Sequence, residues 1–505
     1  MSRTGAEYIE SLKDGRAVYF NGEHVKDVTE HPAFRNAVRS IASLYDLAAS
    51  SEHHSVMTYS SPKTGEPVHK AFLLPRTPAD LVARRIALKL AADTTYGLMG
   101  RSPDHVPGFL VGFALRPDIF ARGGEQFARN VVAYYEHARD CDLYVSYVII
   151  QPQIDRSKPA HQQEDPTLYA GVVEERDGGI VVSGAQILGT ASALSNEVFL
   201  SCIIPLRPGD ENYAISLALP IDTPGIRLIL RRPYGNTVPS VFDYPLSSRF
   251  DETDALLVFD RVFVPWERVF IYRNVALTAA QFYESPAHVI GNHQAQVRFW
   301  SKSEFLAGLA HRIAEANGVD KLPPVQTTLG ELAAYSAMAA GLVLAADTDC
   351  VHDARGFVYP SPKYIYANGW LQATYYGTML NYLRELAGAG VLQVPATYRD
   401  FENSEIAGDL NRFIRSPAMS SVDRTKLFKL AWDLVGSEFA GRHQQYELFY
   451  AGSRSMTTSI RAYRAYDFTA AKARVLECLS GYDLPPRDST GSDLAQMIPK
   501  GPADG

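Results

Sequence analysis

Apolar and polar positions along this chain change period twice. Up to about residue 140 the spacing is helical, with Pro and Gly at segment ends. Thr77 reads as an N-cap and Pro78 as the first helical residue, and Leu81, Val82, Ile86 and Leu90 are expected on one face of a helix that stops near Gly97 and Gly100. From about residue 143 the period becomes that of strands, at 144–150, 180–183, 198–206, 213–219, 226–230 and 256–264. Turn clusters such as Asp177-Gly178-Gly179, Pro208-Gly209-Asp210 and Pro224-Gly225 separate them, which predicts an antiparallel sheet or barrel. From about residue 274 the helical period returns in long segments at 325–347 and 425–450, with Leu427, Leu430, Ala431 and Leu434 sharing a face. The expected organisation is α+β: a helical domain at 1–146, a central β domain at 147–274, a helical bundle at 275–484 and an extended or disordered tail at 485–505.

Composition narrows what such a chain does. With 505 residues, 46% apolar and 21% charged, it has the material for a large core, which excludes a disordered protein. A net charge of −7 gives no basic surface for nucleic acid or anionic lipid. No run reaches the roughly 18 uninterrupted apolar residues of a membrane span, and the first thirty residues do not resemble a signal peptide, so a cytoplasmic protein is expected. Cys141, Cys202, Cys350 and Cys478 are too dispersed for a CxxC metal pair or a disulfide framework, so no metal is expected. The 28 Tyr and 23 Phe against 4 Trp are consistent with either a large aromatic core or a flat aromatic ligand.

The order of helices, strands and helices argues against a doubly wound nucleotide fold, and the motifs agree. There is no GxxxxGK[ST], HExxH or GxSxG, and Gly388-Ala389-Gly390 lacks the third glycine of a dinucleotide fingerprint. Any NAD(P)H-binding part would belong to another polypeptide. Four stretches carry polar chemistry. Gly100-Arg101-Ser102-Pro103-Asp104-His105 places a guanidinium in a tight turn, suited to a phenolate or carboxylate oxygen, although in isolation a helix cap with a structural salt bridge is the commoner role of such a turn. Gln151-Pro152-Gln153-Ile154-Asp155-Arg156 and Gly189-Thr190-Ala191-Ser192, at strand ends, offer donors and acceptors to the edge of a heterocycle, or are ordinary turns. Gly291-Asn292-His293-Gln294 is expected to open a helix, whose dipole would keep His293 a neutral base, although most of 13 histidines serve no such role. Tyr450-Ala451-Gly452-Ser453 follows a long helix, where exposed amides suit phosphate or carbonyl oxygens and a plain C-cap is the alternative.

In this order the four stretches resemble the flavin-dependent monooxygenase family typified by the oxygenase component of 4-hydroxyphenylacetate 3-monooxygenase. The likeness runs from Arg3-Thr4-Gly5 to about residue 480 and includes Asp243-Tyr244-Pro245-Leu246-Ser247-Ser248-Arg249 and Phe259-Asp260-Arg261-Val262-Phe263-Val264-Pro265-Trp266-Glu267-Arg268-Val269-Phe270. It implies an acyl-CoA dehydrogenase-like subunit with an N-terminal helical domain, a central β-barrel and a C-terminal four-helix bundle, packed as a homotetramer. It further implies FAD as FADH2, supplied by a separate NAD(P)H:flavin reductase, reacting with O2 to a C4a-hydroperoxyflavin that hydroxylates a phenolic small-molecule substrate.

Carried over by position, Arg101, Ser102, Pro103, Asp104, His105 and Tyr147 match substrate-contacting positions, and Arg101, His105, Tyr147 and His293 are the catalytic candidates. Gln153, Ile154, Asp155, Arg156, Thr190, Tyr450, Ala451, Gly452 and Ser453 match flavin-contacting positions. Members acting on hydroxyphenylacetate usually have Tyr where this chain has His105, and His where it has Tyr147. This exchange leaves open a halophenol, a nitrophenol or a heteroaromatic such as a pyrrole carboxylate. The related iron–sulfur dehydratase branch needs three Cys that are missing here, and Trp300 stands at one of those positions. A helical scaffold without catalysis is the reading of another class.

Overall fold

Thr77 caps its helix as the sequence predicts. In the computed structural model, which describes residues 3–235, 240–450, 452 and 457–482, its hydroxyl accepts from the Asp80 amide while the Asp80 carboxylate accepts from the Thr77 amide. This helix belongs to an N-terminal series: Gly5–Glu10 (α1), Arg35–Ala49 (α2), His54–Met57 (α3), Pro78–Thr94 (α4), His105–Leu115 (α5), Pro117–Ala121 (α6) and Glu125–Asp140 (α7). Two short hairpins interrupt the series, Val18–Phe20 (β1) with Glu23–Val25 (β2) and Thr58–Ser60 (β3) with Pro67–His69 (β4).

The face of α4 differs from expectation. Leu81 is buried, but Val82 and Ile86 are exposed and Leu90 only half-buried. Arg84 turns the helix: its buried Nη1 donates to the carbonyls of Ala71 and Leu73 at 2.5 and 2.9 Å, and the small Ala87 and Ala91 follow it inward. Periodicity assigns Arg to the solvent side, and carbonyls offered by another segment reverse that assignment.

The middle of the chain contributes Val145–Val148 (β5), Gly171–Arg176 (β6), Gly179–Gln186 (β7), Glu197–Leu200 (β8), Ser216–Pro220 (β9), Ile226–Leu230 (β10), the short helix Ser247–Phe250 (α8), Ala255–Pro265 (β11) and Val269–Ile271 (β12). They form a six-stranded sheet in the order β2-β1-β10-β11-β7-β6 and a four-stranded sheet in the order β12-β9-β8-β5. The expected closed barrel is therefore absent among the described residues. The N-terminal hairpin occupies one edge, with β1 parallel to β10 through Val18↔Leu228, and an isolated bridge, Ile150↔Ile187, links the two sheets. Strand β11 alternates buried and outward residues until a bulge between Phe259 and Val262, where Arg261 takes φ +52.

The C-terminal helices are Val275–Tyr283 (α9), Ala287–Ala316 (α10), Pro323–Thr348 (α11), Pro362–Ala387 (α12), Ala407–Phe413 (α13), Ser421–Val435 (α14), Glu438–Tyr450 (α15), Ser459–Ala465 (α16) and Phe468–Ser480 (α17); the hairpin Val351–Asp353 (β13) with Phe357–Tyr359 (β14) follows α11. The single helix expected at 425–450 is two. Gly436 ends α14, and the Ser437 hydroxyl accepts from the Ala440 amide to start α15 on a new axis. By length and composition α11 could cross a membrane, yet it packs along α10 and α12.

Helix α10 is the axis of the molecule and packs against α4, α5, α11, α12 and α14. Its crossing with α5 is very close. A Cβ on Gly112 would stand 2.2 Å from Ala287 Cα, and one on Gly108 2.9 Å from Gly291 Cα. Side chains absent at the crossing let residues one turn further along, on both helices, meet directly.

Candidate active site

The turn before α5 is built from outside. Both carboxylate oxygens of buried Glu252 accept backbone amides, from Gly100 at 2.8 Å and Arg101 at 2.5 Å, and the Tyr144 hydroxyl donates to the Arg101 carbonyl. Burial pushes the Glu252 carboxyl up, against Arg442 and the two amides. The turn therefore holds Arg101 by its backbone and leaves the side chain to the site.

The Arg101 guanidinium lies among three tyrosines. Its carbon is 5.1, 5.2 and 4.5 Å from the ring centres of Tyr147, Tyr446 and Tyr450, and Nη1 donates to Tyr446 Oη at 2.5 Å. Gly100 permits this approach, because a Cβ there would lie 2.2 Å from Tyr446 Oη. Burial opposes the charge on Arg101, but Tyr147, Tyr446, Tyr450 and Glu252 outweigh it and keep the group protonated. His105 closes the cluster, with ring centres 5.5 Å from Tyr147, 5.5 Å from Phe109 and 6.0 Å from Tyr450. The two positions of the exchanged pair thus touch each other. Burial and the neighbouring Arg101 hold His105 far below the usual histidine range, so it is neutral. Its Nε2 and the Tyr450 hydroxyl are buried without hydrogen-bond partners. Orphaned polar atoms of this kind are costly in a finished core and are to be expected where a ligand completes the set.

Ser102 and Asp104 stand behind this surface. The Ser102 hydroxyl donates to Asp104 Oδ1 at 2.6 Å, and burial raises the Asp104 carboxyl. Pro103 and Asp104 border a cavity of about 20 Å³, with Leu44, Ala48 and Phe72 among its walls, which has room for about one water and not for an aromatic ring.

The flavin-type positions fall in two places. The Ile150↔Ile187 bridge sets the strand end at Gln153–Arg156 beside the turn that carries Thr190. Gln153, Ile154 and Arg156 are exposed, while Asp155 is engaged locally by the Ser157 amide and hydroxyl at 3.0 and 2.6 Å. Thr190 is buried and donates to Asp254 Oδ1 at 2.6 Å, so its hydroxyl oxygen is left as an acceptor. Leu188 and Ala191, on either side, take φ +60 and +61, a left-handed backbone that non-glycine residues adopt only when their surroundings impose it. Tyr450 ends α15, and Gly452 turns with φ +86; Ala451 and Ser453 lie outside the described residues.

His293 differs in placement from the sequence expectation. It does not open a helix: α10 begins at Ala287, so His293 sits in the second turn, past the unpaired first-turn amides whose dipole was to act on it. Its Nε2 lies 3.0 Å from Asp347 Oδ1 on α11, whose other oxygen accepts from Arg85. The neighbour Gln294 instead meets the site, with Oε1 2.9 Å from His105 Nδ1 and Nε2 3.0 Å from Asp104 Oδ1.

Sequence reasoning passed over the network below the site. Glu447 accepts from Arg298 at 2.7 and 2.8 Å, Lys302 at 2.6 Å and Gln372 at 2.6 Å, all buried. Burial depresses Lys302 to about 8, and its ammonium also donates to His443 Nδ1 at 3.1 Å. A signal existed: Gln294, Arg298 and Lys302 recur every four residues on α10, and His443, Glu447 and Tyr446, Tyr450 on α15, two polar stripes that face each other.

The sequence profiles described as "4-hydroxyphenylacetate 3-hydroxylase N terminal" and "4-hydroxyphenylacetate 3-hydroxylase C terminal" match residues 4–271 and 278–480. Among curated proteins, the 4-hydroxyphenylacetate 3-monooxygenase oxygenase component of Geobacillus sp. (strain PA-9) is 36% identical over 95% of this chain and 97% of its own length. The 4-nitrophenol 2-monooxygenase oxygenase component of Rhodococcus sp is 35% identical over 95% and 92%. A crystal structure of the 4-hydroxyphenylacetate 3-monooxygenase oxygenase component complexed with FAD and 4-hydroxyphenylacetate, 35% identical, superposes with a TM-score of 0.88 over 95% of this chain and 98% of that one. The fold shared with it is acyl-CoA dehydrogenase-like, mixing helices and sheets.

Proposed function

The chain belongs to the 4-hydroxyphenylacetate 3-hydroxylase family, and from that membership we infer that it is a flavin-dependent aromatic monooxygenase, the oxygenase component of a two-component system that hydroxylates a phenolic ring with O2. The observation that carries the substrate side is the Arg101 cluster: a fixed cation among aromatic rings with the unpartnered atoms His105 Nε2 and Tyr450 Oη beside it. A phenol fits this set. Its ring packs against Phe109 and the tyrosines, Arg101 stabilises negative charge on its oxygen, and a phenolate is a more electron-rich ring than a phenol.

Family relatives are solved with FAD, and the residues here suit it. The imposed left-handed backbone at Leu188 and Ala191, the acceptor left on Thr190 and the exposed strand end at Gln153–Arg156 would hold FAD, with Tyr450 and Gly452 as further contacts. Reduced FAD supplies the electrons and the oxygen activation when bound. A separate reductase delivers it. The protein's own part is to orient the phenol and to stabilise charge at its oxygen. The exchanged pair His105 and Tyr147 supports a phenol other than 4-hydroxyphenylacetate, nitrophenols being one class used by a relative. Exposed apolar side chains on α11 and α17, Met338, Leu344, Val475, Leu476 and Leu479, support packing of further copies into a homotetramer.

The test is a coupled reaction of the protein with FAD, NADH, a flavin reductase and a panel of phenols under oxygen, with products read by mass spectrometry. Hydroxylation that requires every component supports the reading. Absence of product together with absence of FADH2 affinity would return the chain to a scaffold role.

A further inference from the structure

His105 is completely buried, and only one of its ring nitrogens has a partner. Which nitrogen carries the proton follows from the groups behind it. Asp104 Oδ1 already accepts from the Ser102 hydroxyl, so the Gln294 atom 3.0 Å from it is the NH2 group, which also points at Ser102 Oγ at 3.4 Å. The Gln294 carbonyl then faces His105 Nδ1 at 2.9 Å, and a carbonyl only accepts. Nδ1 therefore holds the single proton of the neutral ring, and Nε2 is a bare lone pair on the ring edge away from Gln294.

We propose that Gln294 is a positioning residue: linked to Asp104 on one side, it locks His105 in the Nδ1–H form and so presents Nε2 as the acceptor for the hydroxyl of the phenolic substrate. The substrate clause rests on the function inferred above; the tautomer lock does not. The opposite tautomer would point an N–H at the substrate and could take no proton from it. In the locked form the phenol O–H bond breaks, its proton passes to Nε2, and the electron pair stays on the phenolate oxygen beside Arg101. The imidazolium so formed keeps its Nδ1–H bond to the Gln294 carbonyl.

The groups that act on the ring come from each element around it: Arg101 and Asp104 from its own turn, Tyr147 from β5, Tyr450 from α15, and Gln294 and Arg298 from α10. The two cations and burial keep the free ring neutral, which leaves the lone pair available at neutral pH. The close α5–α10 crossing at Gly108, Gly112 and Gly291 places the amide there.

The tautomer is testable without substrate or flavin. Long-range proton–nitrogen NMR of the whole protein labelled with ¹⁵N-histidine, with the His105 signals assigned by their loss in His105→Gln, is expected to show a protonated Nδ1 and an unprotonated Nε2. Gln294→Leu should give a mixture of tautomers, and Gln294→Glu, whose carboxyl keeps its proton against the Asp104 carboxylate while its carbonyl oxygen still accepts from Nδ1, should restore the Nδ1–H form. A proton on Nε2 in the wild type, or an unchanged tautomer in Gln294→Leu, overturns the lock. The second arm uses 4-nitrophenol, whose ionisation is visible by its absorbance. Bound to the wild type it should ionise more readily than in water, with that gain falling about tenfold in Gln294→Leu and returning in Gln294→Glu. Equal ionisation in all three overturns the role. An Nδ1–H wild type that binds no phenol overturns the substrate clause and the inferred function while leaving the lock standing.

Discussion

Two clusters share one face of α10 and differ in a way that separates a site from a brace. Around Glu447, four strong donors converge on one carboxylate, so its acceptor capacity is filled. One turn away, around Arg101, the polar groups are held just as firmly from behind, by Glu252, Tyr144 and Gln294, but two of them end in nothing. The filled Glu447 carboxylate locks α10 to α15 and α12, although Arg298 Nε and His443 Nε2 beside it have no hydrogen-bond partner. The Arg101 cluster instead gathers a cation, aromatic rings and two unpartnered polar atoms at one place, a set whose chemistry matches a phenol. Neither buried charge nor an unpartnered atom marks a functional site by itself; the Arg101 cluster stands apart because its unpartnered atoms, His105 Nε2 and Tyr450 Oη, lie together beside a cation and aromatic rings.

The contrast breaks most visibly at Glu447. Glu447→Gln leaves Arg298 and Lys302 without their counter-charge and should cost about 3–5 kcal/mol of stability, read as a shift in denaturant midpoint. Arg101→Ala should do the reverse. It should lower kcat/KM by about 2–4 kcal/mol of transition-state stabilisation while the denaturation midpoint stays nearly fixed. If Arg101→Ala unfolds the protein as readily as Glu447→Gln, the two clusters are both braces.

The acid limb sharpens the same distinction. Burial would raise the Glu447 carboxyl, but Arg298 and Lys302 bring it down to about 2 from 4.5. Between those values the unfolded chain binds a proton that the folded one refuses, so stability rises with pH there. The stability gap between wild type and Glu447→Gln should therefore close as pH falls from 4.5 towards 2, and a gap independent of pH would place the effect in packing. The smallest effect expected is for His105→Tyr with Tyr147→His. Because the two rings touch, the exchange should change the ratio of kcat/KM between 4-hydroxyphenylacetate and 4-nitrophenol by about 1–2 kcal/mol with little loss of stability. An unchanged ratio would make the pair structural.

The sequence made parts of this arrangement legible. A turn such as Gly100-Arg101-Ser102-Pro103 is a local event, so the position of Arg101 could be read directly, and the capping box at Thr77 likewise. What clamps the turn could not, because Glu252 lies more than 150 residues away and its partners are backbone amides that no pattern announces. Gln294, Arg298 and Lys302 look like the polar side of a surface helix until the burial of α10 is known. The same ignorance of burial sent Val82 and Ile86 inward, where both are exposed. The sheet failed to close for a related reason: its edge is taken by three-residue strands at Val18–Phe20 and Glu23–Val25, too short to show alternation. Gly436 was visible, yet a lone glycine does not by itself say that a helix will break and turn.

The claim that the Arg101 cluster is where a phenol is oxidised rests most directly on a single-turnover experiment under ¹⁸O2. Wild type and Arg101→Ala, each preloaded anaerobically with FADH2 and a turned-over phenol, are mixed with labelled oxygen and the product is weighed by mass spectrometry. The account predicts one ¹⁸O atom in the hydroxylated product of the wild type, and at least about 30-fold slower product formation in Arg101→Ala, with FADH2 affinity unchanged. Equal rates of labelled product in both proteins would contradict it.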